Sequence, residues 1–596
     1  MNIQTIPIEP GQHLSDIFPD GIPTNVILHK TLCGIGATTL EINAQRHSII
    51  IEPNVPVIQG KAAQHPEVLG VYEGVTKEQI SEYVNTCSGY CKILTTPESF
   101  IRVKRALWTT DKILSRDFFL LFDECEKLVQ DVEYRTKITL PVDLFFKCQN
   151  KAMVSATPII PSDPRFEEQN FEVLKLTPNY PYQQKLTLLQ TNNVYTLFSY
   201  IINGLPSEQK VCVFFNSTSG IAKLIQRERL ENEASIYCST DAARRLREKG
   251  FNASEYLNMD DGTVDLPRIS FFTSRFFSAV DITLPTEEKP VVIILTELYT
   301  APHSLIDPKT ETTQIIGRFR KGIHAAYHIM NNNPEIETRT DEELSEFLEG
   351  AHKVYKAFFD AYLQSDSEGE KATLRQALVT VDYSRFVQGN CEKNTFMYDN
   401  AFNEEHVKLL YKEYDAVYDA YKEAGAFLVD WKKIHLCLSD KNRMNLEEKG
   451  ISKAKLNRQA FLILRDLLKR HDQLDKIQLA ELKSSFGLLI EAFEVLGSAR
   501  ILEVGFRDRD LEQAIAQTKA TRQEKEPGIV KAVYSQLKEN RWYSTTEINK
   551  ALKRVYDIFG LPCDGRGMAD KITLYFEAEQ QNHAAARGWY LGKRLL

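Results

Sequence analysis

A run of small and hydroxylated residues, Cys33-Gly34-Ile35-Gly36-Ala37-Thr38-Thr39, follows the short apolar run Val26-Ile27-Leu28 and the pair His29-Lys30. Glycines let backbone amides approach an anion, and a helix opening just behind them would aim its N-terminus at it. Thr38 or Thr39 could offer a hydroxyl to Mg²⁺. The lysine usual in such a phosphate loop is absent. Ala37 stands in its place, and Lys30 lies upstream, where it could reach phosphates from the other side. Taken alone, the loop is a Gly-rich strand-to-helix turn.

A second cluster is acidic. Phe118-Phe119-Leu120-Leu121-Phe122 runs into Asp123-Glu124-Cys125-Glu126. An acid at the end of a buried strand holds Mg²⁺ or its water shell, and a neighbouring glutamate can orient or deprotonate a water. Ser155-Ala156-Thr157-Pro158 follows the run Ala152-Met153-Val154, and far downstream stands Gln314-Ile315-Ile316-Gly317-Arg318-Phe319-Arg320. An arginine brought to a γ-phosphate stabilises charge in the transition state. Two arginines two apart on a helix point in different directions, so only one need face the nucleotide.

The elements that must carry these residues show in the hydrophobic pattern. Val26–Leu28, Ser48–Ile51, Lys92–Leu94, Phe118–Phe122 and Ala152–Val154 are short apolar runs, each closed by Gly, Pro, Asn or Asp. They read as buried strands of a parallel sheet with function at their C-terminal ends. A second series, Val211–Phe215, Ser235–Tyr237, Arg268–Phe272 and Val291–Leu295, predicts a second α/β domain. The two are split near Pro178–Pro181. Beyond residue 335 strand-like runs give way to helical spacing over Glu342–Leu363, Glu404–Ala424 and Ser452–Ala516. Aromatic stripes there (Tyr355, Phe358, Phe359, Tyr362; Tyr411, Tyr414, Tyr418, Tyr421) are expected in the core. From residue 519 onward 14 Lys and Arg face 9 Asp and Glu, a net +5, with helix-like stretches Ile529–Glu539 and Ser544–Phe559. Ser544-Thr545-Thr546-Glu547 has the form of a capping box, and the helix it opens bears Lys550, Lys553 and Arg554.

Composition bounds the rest. The 596 residues are too many for one core and predict about three to five domains. Hydrophobic and charged fractions of 43% and 26% exclude a disordered, collagen-like or disulfide-scaffold protein. No run of 18 apolar residues predicts a membrane span, no secretory signal opens the chain, and ten scattered cysteines without a CxxC pair suggest a reducing compartment. The net charge of −8 is silent on a nucleic-acid partner, since an acidic body can carry a basic stripe.

Taken in order, the Gly-rich loop, the Asp-Glu strand, Ser-Ala-Thr-Pro, the second α/β series and Gln-x-x-Gly-Arg-x-Arg resemble the superfamily 2 helicase core over about residues 20–335. Glu52-Pro53-Asn54 resembles its motif Ia and Thr95-Thr96-Pro97-Glu98 its motif Ib. Phe214-Phe215-Asn216-Ser217-Thr218 resembles motif IV, and the run Phe272 to Ile282 resembles motif V. The resemblance implies an α/β fold of two tandem RecA-like parallel-sheet domains, 1–180 and 181–335. A helical domain at 336–518 and a basic tail at 519–596, similar to a winged helix, would follow. It implies ATP and Mg²⁺ as cofactors in the cleft between the two α/β domains. Gly34, Gly36, Thr38 and Thr39 would bind phosphate and Mg²⁺, with Lys30 the substitute cation. Asp123 would hold the metal and Glu124 would activate water. Ser155, Thr157 and Thr96 would couple the nucleotide to nucleic acid. Asp281 and Gln314 would read the closed state, and Arg318 or Arg320 would be the arginine finger.

The expected activity is an ATP-dependent helicase or translocase on nucleic acid, DNA before RNA. It would serve replication or maintenance of a phage or mobile element in the cytoplasm of a prokaryotic or phage-infected cell. Other replication proteins would be its partners. The alternative is a helicase-like scaffold that binds nucleic acid without turnover, because of Ala37. A nuclease or primase would need a further carboxylate cluster, and none is evident.

Overall fold

Every apolar run named above becomes a strand, and most are covered on both faces. The computed structural model describes residues 1–596 except 261–262, 279–280, 286–288, 390, 471, 564–566 and 584–585. It divides into two units, Met1–Lys441 and Asn442–Leu596.

The first sheet is built from β1 (Asn2–Ile8), β2 (Val26–His29), β3 (His47–Ile51), β4 (Val68–Val71), β5 (Lys92–Thr95), β6 (Phe118–Asp123), β7 (Asn150–Ser155) and β8 (Glu172–Pro178). Its order is β1-β8-β2-β7-β6-β3-β5-β4, with every pair parallel. Successive side chains enter opposite cores. Ile49, Ile51, Leu120 and Phe122 lie on one face, and Ile50, Phe119, Leu121 and Val154 on the other. Because β2, β7 and β6 are neighbours, their carboxyl ends bring the Gly-rich loop, Ser155 and Asp123 to one edge.

The second sheet uses β9 (Gln184–Thr191), β10 (Val211–Phe214), β11 (Ala234–Tyr237) and β12 (Ala253–Ser254). After a small hairpin of β13 (Met259–Asp260) and β14 (Thr263–Val264) come β15 (Ile269–Phe272), β16 (Val291–Thr296) and β17 (Ala325–Met330). A further hairpin, β18 (Val387–Gln388) with β19 (Glu392–Lys393), precedes β20 (Phe427–Ile434). The order is β12-β11-β15-β10-β16-β17-β9-β20, again parallel throughout.

β20 corrects the expectation that strands end near residue 335. It lies at the sheet edge, turning Phe427, Val429 and Trp431 to the core and exposing Leu428, Asp430 and Lys432. That half-polar alternation, set between helices, lacks the apolar run that marks a central strand.

The helices before β20 knit the two sheets together. Thr340 caps Asp341–Gln364 reciprocally with Glu343, and this helix gives Leu344 and Leu348 to the first-sheet core. Thr395–Lys412 places Phe396 and Met397 in that same core and Tyr411 in the core of the second sheet. The Tyr421 hydroxyl is buried between Thr312 Oγ1 and His328 Nδ1, 2.8 Å from each. The aromatic stripes are therefore only partly core. Tyr411 and Tyr421 are buried, but Tyr414 is 57% exposed and Phe358 is exposed as well.

In the second unit, helices Lys453–Leu467, Gln473–Val504 and Asp508–Glu524 come first. The middle one is interrupted at Phe486 and at Gly497, whose φ of +75° suits glycine. Then follow helix Pro527–Gln536, β21 (Arg541–Ser544), helix Thr545–Phe559, β22 (Phe576–His583) and β23 (Ala586–Arg594). The three strands form an antiparallel sheet in the order β21-β23-β22.

Candidate nucleotide site and nucleic-acid groove

The Gly-rich loop leaves β2 at His29, and the Lys30 amide donates to the Ser155 carbonyl at 2.8 Å. Gly34 (φ +79°) and Gly36 (φ +91°) take left-handed conformations that the turn into helix Ala37–Asn43 requires. Thr38 Oγ1 then donates to Asp123 Oδ2 at 2.6 Å. Thr39 faces elsewhere and accepts from Lys61 Nζ at 3.2 Å, so Thr38 is the threonine of the pair brought to the acids.

Lys30 is only 6% exposed, with its Nζ 3.6 Å from Asp123 Oδ1 and 4.0 Å from Glu124 Oε1. Burial disfavours its charge, but the facing carboxylates of Asp123 and Glu124 outweigh this and raise its pKa. Glu124 follows β6 with a left-handed backbone, φ +49°, uncommon for a residue with a side chain. Burial would raise its pKa, yet Lys30 and Arg318 hold it down at about 2. Glu126, two residues on, behaves oppositely. Burial and the charge of Glu124 push its pKa well up. Two neighbouring carboxyls are thus pushed in opposite directions.

The second sheet contributes from helix Glu311–Gly317 and the turn behind it. Gln314 Nε2 lies 3.0 Å from Glu124 Oε2, 3.1 Å from Glu126 Oε1 and 3.2 Å from Thr157 Oγ1. Arg318 donates to Gln314 Oε1 at 2.9 Å and to the Ser278 carbonyl at 2.8 Å, and its Nη2 stands 3.7 Å from Glu124 Oε1. Arg320 pairs with Asp281 at 2.9 Å and covers Gly34 so closely that a Cβ there would lie 2.5 Å from its Nη1. Both arginines therefore face the cleft. The helix ends at Gly317, and the turn behind it re-aims the chain between the two.

Other expected residues fall differently. Asp281 meets Arg320 and, at 3.9 Å, Arg318, all on its own side of the cleft. Ser155 Oγ accepts from the Thr157 amide at 2.9 Å and shapes the Ser-Ala-Thr turn. Thr96 is not brought to the site. It is buried, and its Oγ1 accepts from the Ser99 amide at 3.3 Å.

Glu126 and Cys33, given no role from the sequence, stand at the site, as does the buried Glu52 of the stretch resembling motif Ia. The pKa of Glu52 is raised by burial and then by Asp123 and Glu124. A Cβ on Gly317 would lie 2.4 Å from Cys33 Sγ. The acidic position two residues past Glu124 was the available signal for Glu126.

On another side of the interface a groove of about 900 Å³ runs between the two sheets. Pro53 and Asn54 of motif Ia line one wall, and Asn216, Ser217, Thr273 and Ser274 of motifs IV and V the other. Asn216 Oδ1 accepts from the Ser274 amide at 3.3 Å, joining the last two. Lys127, Arg135, Arg245 and Arg275 add positive charge, against Asp131 and Glu255. Motif Ib enters only through Glu98, which accepts two hydrogen bonds from Arg135 at 2.6 and 2.8 Å. Residues 279–280 of motif V lie outside the described residues. A smaller cavity of about 200 Å³ opens beside the Gly-rich loop among His13, Pro19, Thr39 and Asn43.

No protein-family model and no curated protein matches the chain. Solved structures do. One is S. cerevisiae Dbp5 bound to RNA and ADP BeF3, at 15% identity over 52% of this chain and 79% of that one, TM-score 0.34. Another is the Mycobacterium smegmatis helicase Lhr bound to ssDNA and AMP-PNP, at 12% identity over 80% and 70%, TM-score 0.33. A third is RecG bound to a three-way DNA junction, at 12% identity over 65% and 48%, TM-score 0.30. The chain's own two parallel sheets define two tandem RecA-like α/β domains, which carry the residues described above to their facing edges. Among the described residues no helix is long and apolar enough to cross a membrane.

Proposed function

We propose that the protein is an ATP-driven helicase or translocase acting on nucleic acid. One observation carries this reading. Thr38 is bonded to Asp123 at 2.6 Å beside a buried Lys30–Asp123–Glu124 cluster, and Gln314 and Arg318 from the second sheet close onto it. In this reading Lys30 takes the part of the missing loop lysine and binds the β- and γ-phosphates. The amides around Gly34 and Gly36 cradle the same phosphates. The hard oxygen donors Thr38 and Asp123 suit Mg²⁺, which would neutralise phosphate charge when bound. Glu124, ionised at neutral pH, orients the attacking water and takes its proton. Arg318 and Arg320 meet the charge that develops on the transferring phosphoryl group. The small cavity beside the loop has room for the base.

Coupling follows the hydrogen bonds. Gln314 contacts both Glu124 and Thr157, and the Ser155 carbonyl holds the Lys30 amide. A change at the phosphates is thus passed to the Ser-Ala-Thr turn and to the second sheet. The groove lined by motifs Ia, IV and V would hold one strand by its phosphates, with little regard for base identity. Binding ATP requires Arg320 to leave Gly34, so each cycle opens and recloses the interface.

The test is ATP hydrolysis by the purified full chain with and without single-stranded DNA, duplex DNA and RNA. Nucleic-acid-stimulated turnover that disappears in Glu124→Gln is expected. Measurable strand binding with no turnover on any polymer would overturn the motor and leave a scaffold.

A further inference from the structure

We infer that the module spanning residues 527–594 is a second nucleic-acid site, one that docks on duplex DNA. The helix Thr545–Phe559 turns Ile548, Leu552, Val555 and Tyr556 into the module's core. Helical spacing then places Thr546, Lys550 and Lys553 together on the opposite face, with Arg554 beside them. All three cations are exposed, and none makes an ion pair among the described residues. Of the acids nearby, Glu547 is occupied in the capping box with Ser544, and Asp557 sits at the far, C-terminal end of the face.

The β22–β23 hairpin is fixed to the start of this helix. Thr545 Oγ1 donates to the Arg587 carbonyl at 3.0 Å. Trp542 Nε1 donates to the Gln581 carbonyl at 3.1 Å, and its ring meets His583 edge-on at 5.2 Å. Gly588 lies so tightly under Trp542 that a Cβ would fall 2.3 Å from the indole. The helix thus presents Lys550, Lys553 and Arg554 on one exposed face, and the hairpin, with the exposed Arg587, is fixed at the start of that helix. The charge is local. Residues 519–596 carry +5, while the remainder of the chain carries −13.

A helix about 10–12 Å across fits the major groove of B-form DNA, about 12 Å wide, with the hairpin against the flanking backbone. The A-form major groove is too narrow to admit it, so duplex RNA is not the ligand. The site needs no nucleotide, so it stands or falls apart from the ATPase reading.

The test is fluorescence anisotropy of the full chain, without ATP, on a 20-bp DNA duplex, the same-sequence RNA duplex and an oligo-dT strand. The salt range runs from 50 to 200 mM. In Lys550→Ala/Lys553→Ala/Arg554→Ala the expected result is at least tenfold weaker duplex-DNA binding. The slope of log K against log salt should be shallower by about 2–3, near 0.9 for each phosphate contact removed. Oligo-dT binding should stay within twofold, and Lys550→Arg/Lys553→Arg should keep both affinity and slope. Unchanged duplex-DNA binding in the alanine variant would overturn the proposal. So would equal losses on DNA and RNA duplexes. Thermal unfolding of each variant guards against a fold defect.

Discussion

Replacing Lys30 by Ala is the sharpest probe of the nucleotide site. The ammonium is buried 3.6 Å and 4.0 Å from two carboxylates. Removing one partner of a buried ion pair costs about 3–5 kcal/mol, because it strands the opposite charge. Here Arg318, 3.7 Å from Glu124, still compensates part of that charge, so a loss near the lower end, about 3 kcal/mol, is expected. The loss in turnover has a separate origin. One preorganised donor aimed at developing charge is worth about 10²–10³ in kcat.

The pH profile tells the two effects apart. Glu124 is held at about 2 against burial by Lys30 and Arg318. It must be anionic to accept a proton, so wild-type hydrolysis should not fall between pH 7 and 5 through this group. Without Lys30, burial dominates and its pKa rises. The variant should then lose activity as pH falls through the new value, an acid limb the wild type lacks. Steady-state phosphate release across pH 5–8, with Glu124→Gln as the blank, reads both effects. Turnover within threefold of wild type in Lys30→Ala, with Glu124→Gln dead, would refute Lys30 as the phosphate-binding cation.

Three further outcomes are expected. Ala37→Lys, which restores the usual loop residue, should lower the melting temperature and not raise turnover. Ala37 is buried in the first-sheet core, and overpacking there costs about 1–3 kcal/mol; faster hydrolysis would contradict the assignment. Gly317→Ala should destabilise by pressing on Cys33, and Cys33→Gly in the same chain should recover at least half of the loss. Strict additivity in denaturant unfolding would show that the two do not meet. Glu311 has its pKa raised to about 7 by burial. The unfolded state therefore ionises first, and stability contributed by the neutral group is lost as pH rises from about 4.5 to 7. The advantage of Glu311→Gln should grow through that window to about 3 kcal/mol and stay level above it. A constant gap from pH 4.5 to 8 would refute the shift.

What the sequence discloses follows from what burial does to a strand. Phe118–Phe122 and Val291–Leu295 are covered on both faces, so they appear as unbroken apolar runs closed by a functional residue. The edge strands β1 and β20 mix polar with apolar positions and blend into their surroundings. At the site, Thr38, Asp123 and Glu124 are recognisable because they follow apolar runs that read as buried strands, and Gln314 and Arg318 because they stand in Gln-x-x-Gly-Arg-x-Arg behind the second series of such runs. Cys33 against Gly317 and Arg320 over Gly34 are not, since each joins residues more than 280 apart through the approach of two domains. The contrast between Glu124 and Glu126 is equally hidden. Lys30 and Arg318 reach Glu124, while Glu126 meets burial and the charge of Glu124.

The helix Thr395–Lys412 has a mechanical meaning. Its 18 residues make a rod about 27 Å long, anchored by Phe396 and Met397 in one α/β domain and by Tyr411 in the other. Two bodies joined only by a chain can drift apart as far as the linker allows. Two bodies riveted to the ends of one rod must pivot about it. In the proposed motor, opening the cleft to exchange nucleotide would be a rotation with a fixed fulcrum. The travel of the groove walls would be set by their lever arm from that rod, and a kink introduced at its midpoint would be expected to uncouple that travel from hydrolysis.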